Sequence, residues 1–363
     1  MWGSRSLPHS TKLFYTSSPP GLRGESQKMK IKYSNTPKVS PVKFLDVCSG
    51  IGTIRLGLQA NGWECVGRFE IDPVADGIYQ SIFGTSEPNF GDVTALPMTL
   101  PDFDVLVAGI PGNTYSRVYN KGKRPDTSVP FGIVGLLGRY RPKGFILECV
   151  VGFADPATNP TYPMFFSMLK GMGYEVEAHG FHAGAYGLPI STERFVMVGS
   201  LTSLPRSLPC AGLHSVTLAD CLIDHKGDEL NTTSKAWTDY LVKSDTAKVG
   251  MRWSKVDLHS LDNYTVIDRR QTDLRVFKGF CPPFRRENHG LFYVKDGRIK
   301  RITAFEGLLL HGVPRNIAER YTALPVSEHC LMSYVGSVSP VPMVESVAKW
   351  LEFAIMMAST KAA

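Results

Sequence analysis

The chain has 363 residues, 43% hydrophobic and 20% charged, the balance of a globular protein with room for one large or two modest domains. No run approaches the roughly 18 apolar residues of a membrane span, and nothing marks a collagenous, coiled-coil or wholly disordered chain. Seven cysteines without a CxxC pair argue against a disulfide scaffold or structural zinc and fit a reducing compartment, while the net charge of +7 points to a nucleic-acid partner.

Residues 1–40 hold seven basic side chains and one acid, so nearly all of the excess charge lies there and the body is close to neutral. This stretch is rich in Ser, Pro, Gly and Lys, lacks an apolar period and reads as a disordered basic tail. Met29 reads as a natural start, with the first 28 residues as an upstream extension. Order is expected from residue 42, where 42–47 form a buried strand ending in a carboxylate. A glycine turn follows over 48–52, then a helix over 53–60 and a second strand over 63–70 that also ends in an acid. Apolar runs at 104–109, 144–148 and 194–199, with a helical period at 165–172, continue the alternation. Strands alternating with helices predict an α/β fold, a parallel Rossmann-like sheet with helices on both faces. The rhythm breaks over 205–300, which reads as a second domain, and helical periods return at 303–310 and 343–356. The expected organisation is therefore a tail at 1–40, one α/β domain built from 41–204 and 301–358, and a small domain at 205–300.

Open parallel sheets bind ligands at the carboxyl ends of their strands. Here the turn is Asp46-x-x-x-Gly50-x-Gly52, which by itself is equally a plain structural turn. Glu70, about 20 residues on, stands where a carboxylate holds ribose hydroxyls, and Asp92 is placed to meet an adenine amino group. The turn lacks the Gly-Lys-Ser/Thr ending of a phosphate loop, so it suits an adenosine without a polyphosphate, such as S-adenosylmethionine.

The motifs in order resemble those of the cytosine carbon-5 DNA methyltransferases. Phe44-Leu45-Asp46-Val47-Cys48-Ser49-Gly50-Ile51-Gly52 resembles the family's DLFAGIGG, with Glu70-Ile71-Asp72 and Gly91-Asp92-Val93 after it. Arg141-Pro142-Lys143-Gly144-Phe145-Ile146-Leu147-Glu148-Cys149-Val150 resembles RPKxFLxENV, and Tyr186-Gly187-Leu188-Pro189-Ile190-Ser191-Thr192-Glu193-Arg194 resembles YGVPQxRER. Arg301-Ile302-Thr303-Ala304-Phe305-Glu306 with His311-Gly312-Val313-Pro314 resembles RxLTxxE…GFP, and Val335-Gly336-Ser337-Val338-Ser339-Pro340 resembles the closing IGNxVP. The resemblance spans roughly residues 42–355. It implies S-adenosylmethionine as cofactor, double-stranded DNA as substrate, a target-recognition domain at 205–300, and a C-terminal helix folded back onto the first. The implied cofactor residues are Phe44, Asp46, Ser49, Gly50, Gly52, Glu70, Ile71, Asp92, Pro111 and Ser337. A monomer acting in a bacterial or phage-like cytoplasm, without a membrane, is expected, with nuclear or organellar placement left open.

One departure bears on mechanism. The family's nucleophile is the Cys of a PCQ motif, whose thiolate attacks carbon-6 of a flipped cytosine. Here Pro111-Gly112-Asn113 puts a glycine there, so either the chemistry is lost or a thiol comes from elsewhere. Cys149 stands at the Asn of the ENV-like motif, beside Glu148, and RNA cytosine-5 methyltransferases carry their nucleophile in the corresponding later motif. The implied catalytic set is Cys149 as nucleophile, Glu148 at ring nitrogen 3 and Arg194 at the base oxygen. Such a thiol needs its pKa lowered by cations, and Arg194 is the one available. Ile190, Thr192 and Ser337 in place of the family's Gln, Arg and Asn keep open a DNA-binding relative without catalysis, and the thiol position keeps open an RNA substrate.

Cations are expected on DNA at two places: Arg117, Lys121, Lys123 and Arg124 in the loop that follows the Gly112 motif, and Arg269, Arg270 and Arg285 in an arginine- and phenylalanine-rich stretch. For each, a solvated or folded surface is the competing reading. His182, His214, His225 and His311 read as surface or turn residues, and Tyr186 and Tyr334 as packing residues. The duplex base has to be extracted before carbon-6 is reached.

Overall fold

A computed structural model describes residues 40–95, 99–115, 126–207, 215–223, 226–235, 237–239, 260–270, 275–286 and 290–361. Residues 41–363 form one compact unit. Its larger sheet has strands β1 (Lys43–Val47), β2 (Glu64–Phe69), β3 (Val105–Gly109), β4 (Gly144–Cys149), β5 (Glu175–His182) and β6 (Glu193–Ser200) in the order β2-β1-β3-β4-β6-β5. The first four are parallel, whereas β6 runs antiparallel to both β4 and β5. The sheet is therefore mixed, not wholly parallel. The reason is local: β5 and β6 are joined through a tight turn at Gly187 (φ 76°) instead of a crossover helix, so the chain returns antiparallel. β5 escaped the sequence reading because Glu175, Glu177, His179 and His182 interrupt its apolar residues.

Side chains alternate across the sheet as a strand period of two requires. Leu45, Val47, Leu106, Ala108, Phe145, Leu147 and Cys149 enter one core, which also holds Ile133 and Leu137 of α3 (Ser128–Tyr140) and Phe165 and Leu169 of α4 (Tyr162–Gly171). Phe44, Val105, Val107 and Ile146 enter the other, with Ile54 and Leu58 of α1 (Thr53–Gln59) and Val344, Val347 and Leu351 of α9 (Val341–Lys361). Helices thus cover both faces. α9 packs on α1 as the motif order implied, at Gly57, where an added Cβ would lie 2.7 Å from Val344 Cβ.

Helix α2 (Pro73–Phe83) shows why these elements form where they do. Asp72 caps it, accepting from Val74 N at 2.9 Å and Ala75 N at 3.3 Å, and Pro73 occupies the first turn. Ala75, Ile78, Tyr79 and Ile82 form the buried stripe, each large side chain contributing roughly 1.5–3 kcal/mol, and Gly84 at φ 93° ends the helix.

The described part of 205–300 adds a single helical turn, α5 (Leu218–Cys221), and an antiparallel sheet of β7 (Val266–Asp268), β8 (Arg275–Phe277), β9 (Leu291–Lys295) and β10 (Arg298–Arg301), ordered β10-β9-β7-β8. Ile267, Phe292, Val294 and Ile299 pack with Trp237 on one face. Val266, Leu291 and Tyr293 face a cluster that includes residues of α6 (Ala304–Leu310), α7 (Arg315–Thr322) and α8 (Glu328–Val335). Thr303 opens α6 through a reciprocal bond with Glu306, whose other oxygen accepts from Tyr293 OH at 2.7 Å, tying the small sheet to the body. Among the described residues no helix is long and apolar enough to cross a membrane.

Candidate active site

The carboxyl ends of β1 to β4 open into one cavity of about 570 Å³, ordinary for a small-molecule pocket. Its wall on the β1 side is the turn after that strand, where Cys48 (φ 52°), Gly50 (φ 54°) and Gly52 (φ 86°) all take left-handed backbone. Gly50 N donates to Glu70 Oε2 at 2.7 Å and Asp72 N donates to Oε1 at 2.8 Å, so Glu70 is fixed at the rim. Burial raises its pKa, against these backbone donors. Ile71 beside it is 73% exposed although large and apolar, and it lines the cavity, as do Ser49, Asp92, Pro111 and Ser337. Ser49 Oγ is buried without a partner in the protein. An apolar shelf, a fixed carboxylate and an unpartnered hydroxyl together suit a nucleoside-bearing cofactor.

Three expected cofactor residues do not line the cavity. Phe44 is fully buried against Trp63, ring centroids 6.4 Å apart, in the core beneath α1 and α9. Counted from Asp46, the Phe of the family's DLF triplet falls on Cys48, and Cys48 is the residue at the wall. Asp46 is also fully buried, accepting from Tyr79 OH at 3.1 Å. Burial pushes its carboxyl up to about 7, against the Tyr79 bond and the Arg55 charge. Gly52 serves packing: its Cβ would meet Phe83 Cε2 at 2.3 Å and Tyr79 Cδ2 at 2.9 Å. Behind the turn Tyr79 stands between the guanidinium groups of Arg55 (5.4 Å) and Arg68 (4.9 Å), themselves paired to Glu87 (2.9 Å) and Asp76 (2.6 Å). These residues brace the turn from below.

At the other end Glu148 and Arg194 are both buried and meet as an ion pair, Oε1 to Nε 3.0 Å. The contact is not aligned as a hydrogen bond, so both atoms keep unused capacity. Arg194 Nη2 donates to Val338 O at 2.8 Å. Burial raises the Glu148 pKa, opposed by Arg194 and by a hydrogen bond from Ser339. Cys149 borders the same cavity, yet it belongs to the core of Phe145, Leu147 and Phe195, on the opposite face of β4 from Glu148. Burial, followed by the Glu148 charge, pushes its thiol well above the ordinary range. The lowering by Arg194 that the sequence led us to expect is outweighed.

Where the family's cysteine would stand, Gly112 begins a 3₁₀ turn (Gly112–Tyr115) lying against a second (Val151–Ala154). A Cβ on Gly112 would be 2.5 Å from Val150 Cγ1, and one on Gly152 would be 2.2 Å from Tyr115 O. The two glycines let the turns approach, and Val150 fills the space.

Of the expected DNA cations, Arg117, Lys121, Lys123 and Arg124 lie outside the described residues. Arg270 is not available to DNA: its side chain is 2% exposed, pairs with Asp268 (Nε to Oδ1 2.8 Å) and donates to Pro283 O at 2.6 Å. Burial alone would raise Asp268, but these Arg270 contacts hold it below its usual range. Arg269 lies over the Trp237 ring at 5.5 Å, and Arg285 lines the cavity beside Arg286. His311 is buried, not a surface residue: Nδ1 is 2.8 Å from Gly307 O, and burial lowers its pKa to about 4.

The sequence reading took Tyr334 for a packing residue, but its hydroxyl donates to Asp72 Oδ2 at 2.7 Å across 262 residues and it lines the cavity. Asp72 was visible in the Glu70-Ile71-Asp72 motif, but nothing local announces its distant partner.

The C-5 cytosine-specific DNA methylase family matches residues 42–352. The chain belongs to this family. Its members are DNA cytosine-5 methyltransferases, enzymes that take the methyl group from S-adenosylmethionine. Among curated relatives, Type II methyltransferase M.MspI of Moraxella sp is 28% identical over 328 residues, covering 87% of this chain and 72% of that protein. Type II methyltransferase M.BsuFI of Bacillus subtilis is 26% identical over 326 residues, covering 87% and 73%. The fold is shared with the Entamoeba histolytica methyltransferase EhMeth (TM-score 0.63, 14% identity, covering 86% and 98%). A putative DNA modification methyltransferase encoded within an Escherichia coli prophage is similar too (TM-score 0.62, 18% identity, covering 87% and 99%). Within this methylase the rim of Ser49, Gly50, Glu70, Ile71 and Asp92 fits the cofactor's adenosine, with the unpartnered Ser49 hydroxyl as the observation that favours it.

Proposed function

We propose that this protein methylates carbon-5 of cytosine in double-stranded DNA, with cofactor and extruded base held side by side in the one cavity. The observation that carries the reading is the cavity itself, which joins the Glu70 rim to the buried Glu148–Arg194 pair. Glu70 holds the ribose hydroxyls, Asp92 the adenine amino group, and Ile71 and Pro111 offer apolar contact. Glu148, whose pKa burial raises, holds ring nitrogen 3, donating to it when protonated, and Arg194 meets the base oxygen. Drawing electron density toward nitrogen 3 makes carbon-6 electrophilic. The thiol that borders the cavity is Cys149; it lies on the core face of β4, so attack requires that its side chain turn into the cavity and pass its proton to water as the base binds. The sulfur–carbon-6 bond leaves carbon-5 nucleophilic, and the cofactor's sulfonium supplies the methyl group that carbon-5 receives. Loss of the carbon-5 proton to water and expulsion of the thiolate restore the ring. Residues 205–300 carry target recognition in this reading, with Arg269 on its surface, and residues 1–40 lie outside the catalytic domain.

A second reading is favoured by Val150 filling the Gly112 site and by the core-facing Cys149: a methylase relative that binds cofactor and DNA without transfer. Tritiated methyl incorporation separates them, using long duplex DNA of mixed sequence, structured RNA in parallel, and wild type beside Cys149→Ala. Incorporation into DNA by wild type and not by Cys149→Ala supports the mechanism. Equal incorporation by both removes Cys149, none by wild type leaves the second reading, and incorporation into RNA alone changes the substrate.

A further inference from the structure

β2 is an edge strand of the larger sheet, and Glu70 stands one residue beyond its end. Along the outer edge the chain at 88–90 adds a short piece of parallel pairing, in which Arg68 N donates to Pro88 O at 2.9 Å and Phe90 N donates to Arg68 O at 2.8 Å. The backbone groups of Glu70 are met by a side chain instead. Glu70 N donates to Asn89 Oδ1 at 3.1 Å, and Asn89 Nδ2 donates to Glu70 O at 3.0 Å. The amide thus takes the place of the peptide unit that a longer neighbouring strand would supply. Its Oδ1 accepts a second bond, from Gly91 N at 2.9 Å. Two N–H donors at one end and a carbonyl at the other allow a single orientation of the amide.

We propose that Asn89 is a positioning residue for Glu70, an assignment that rests on the reading of Glu70 as the carboxylate that holds the ribose hydroxyls. Asn89 is not part of the cavity wall, so it reaches the cofactor only through the residues it holds. The Glu70 carboxylate is tied at its tip to Gly50 N and Asp72 N, and Asn89 ties the backbone from which it springs. With both ends fixed, the carboxylate is set in place before the ribose arrives. The loop that carries Asn89 has anchors of its own. Arg68 Nη1 donates to Glu87 O at 2.7 Å, Glu87 pairs with Arg55 at 2.9 Å, and the Phe90 ring centroid lies 5.4 Å from that of Phe69. Removing the Asn89 side chain therefore frees the Glu70 backbone while the loop stays in place.

Calorimetric binding of S-adenosylhomocysteine to the full-length protein tests this without turnover, beside an analogue whose ribose lacks both hydroxyls. Asn89→Ala is expected to weaken S-adenosylhomocysteine about tenfold and the analogue by less than about threefold, the remainder coming from the lost Gly91 bond. In a Glu70→Ala background the same change should cost less than about threefold for either ligand, because the group being positioned is gone. Asn89→Asp keeps the acceptor for the two N–H groups and loses the donor to Glu70 O. It should show the same preference between the ligands, and it decides alone should Asn89→Ala not fold. Undiminished affinity in the Asn89 variants, an equal fall for both ligands, or a full tenfold fall without Glu70 overturns the assignment. A general loosening of the pocket would weaken both ligands alike, so the analogue separates positioning from packing. Should Glu70→Ala bind S-adenosylhomocysteine as wild type does, the ribose reading of Glu70 fails and the assignment falls with it. A weakened Glu70→Ala beside an unaffected Asn89→Ala overturns Asn89 alone.

Discussion

Returning the family's cysteine to position 112 is not a simple repair, because Val150 has taken the room. The Cβ of residue 112 would lie 2.5 Å from Val150 Cγ1, 3.1 Å from Cγ2 and 3.4 Å from Cβ. Carbon atoms rest about 3.5–4.0 Å apart, so Gly112→Cys forces an overlap of about 1 Å with a β-branched side chain that has few rotamers to escape into. Overpacking of this kind costs about 1–3 kcal/mol. With an unfolding entropy of about 2.1 cal/mol/K per residue over the roughly 270 described residues, about 2 kcal/mol lowers Tm by about 3–4 °C. Val150→Ala deletes the clashing methyl groups, so the pair Gly112→Cys/Val150→Ala recovers about 1–2 kcal/mol relative to the sum of the single changes. Thermal melts of the four proteins measure that coupling. Its chemical counterpart uses S-adenosylmethionine with mixed-sequence duplex DNA containing 5-fluorocytosine, in which fluorine replaces the carbon-5 hydrogen, so that after methyl transfer no proton can be lost and an attacking thiol stays bound. We expect more adduct resistant to denaturing detergent from the double variant than from Gly112→Cys. Equal stability of wild type and Gly112→Cys, or equal adduct from the single and double variants, would falsify the steric argument.

Three further outcomes follow from the buried groups. Asp46, with its carboxyl at about 7 in place of 3.8, binds a proton more tightly folded than unfolded. Its stabilisation is complete below pH 3.8 and is lost as pH rises to about 7, so Asp46→Asn flattens urea stability across that window by up to about 1.4 kcal/mol per pH unit, and an unchanged slope rejects the assignment. Arg270→Ala leaves Asp268 buried and unpaired and costs about 3–5 kcal/mol, seen as a fall in the denaturation midpoint; a variant as stable as wild type but weaker on DNA would restore Arg270 to the nucleic-acid surface. Gly52→Ala combines a left-handed backbone with contacts of 2.3 Å and 2.9 Å to the α2 rings, and should lower both Tm and cofactor affinity by calorimetry, whereas Gly50→Ala, with nothing near its Cβ, should change Tm less.

Local patterns were legible where one short stretch contains both the element and its reason. The strand from Lys43 to Val47, the turn at Gly50 and Gly52 and the acid at Glu70 all sit in about thirty residues, and the cavity rim lies there. What the sequence hid depends on register or on distance. Phe44 and Cys48 are four positions apart, which a strand period of two would put on one face; Cys48 instead leaves the strand in the left-handed turn (φ 52°) and reaches the cavity, while Phe44 stays in the core. Cys149 and Glu148 are adjacent, so a motif puts them together, while the pleat sends them to opposite faces. The Asp72–Tyr334 bond joins residues 262 apart, and Arg270 looks like a surface cation until Asp268 is folded beneath it.

The changes at the base-binding end bear on whether the site still works. Gly112 removes a thiol and Val150 occupies its room. Glu148 and Arg194 meanwhile stay buried at the cavity wall with Oε1 and Nε not fully hydrogen-bonded. Such a pair is costly: desolvating two charges is repaid only in part by their attraction, and apolar residues of similar size are often more stable. A pocket with no ligand has a cheaper solution available. Under the proposed function the pocket receives a pyrimidine, whose ring nitrogen and base oxygen supply the partners those two atoms lack. The pair therefore supports base binding whatever becomes of the thiol. Cytosine capture and methyl transfer separate at Gly112, so the adduct experiment on Gly112→Cys/Val150→Ala tests whether restoring one sulfur is enough to rejoin them.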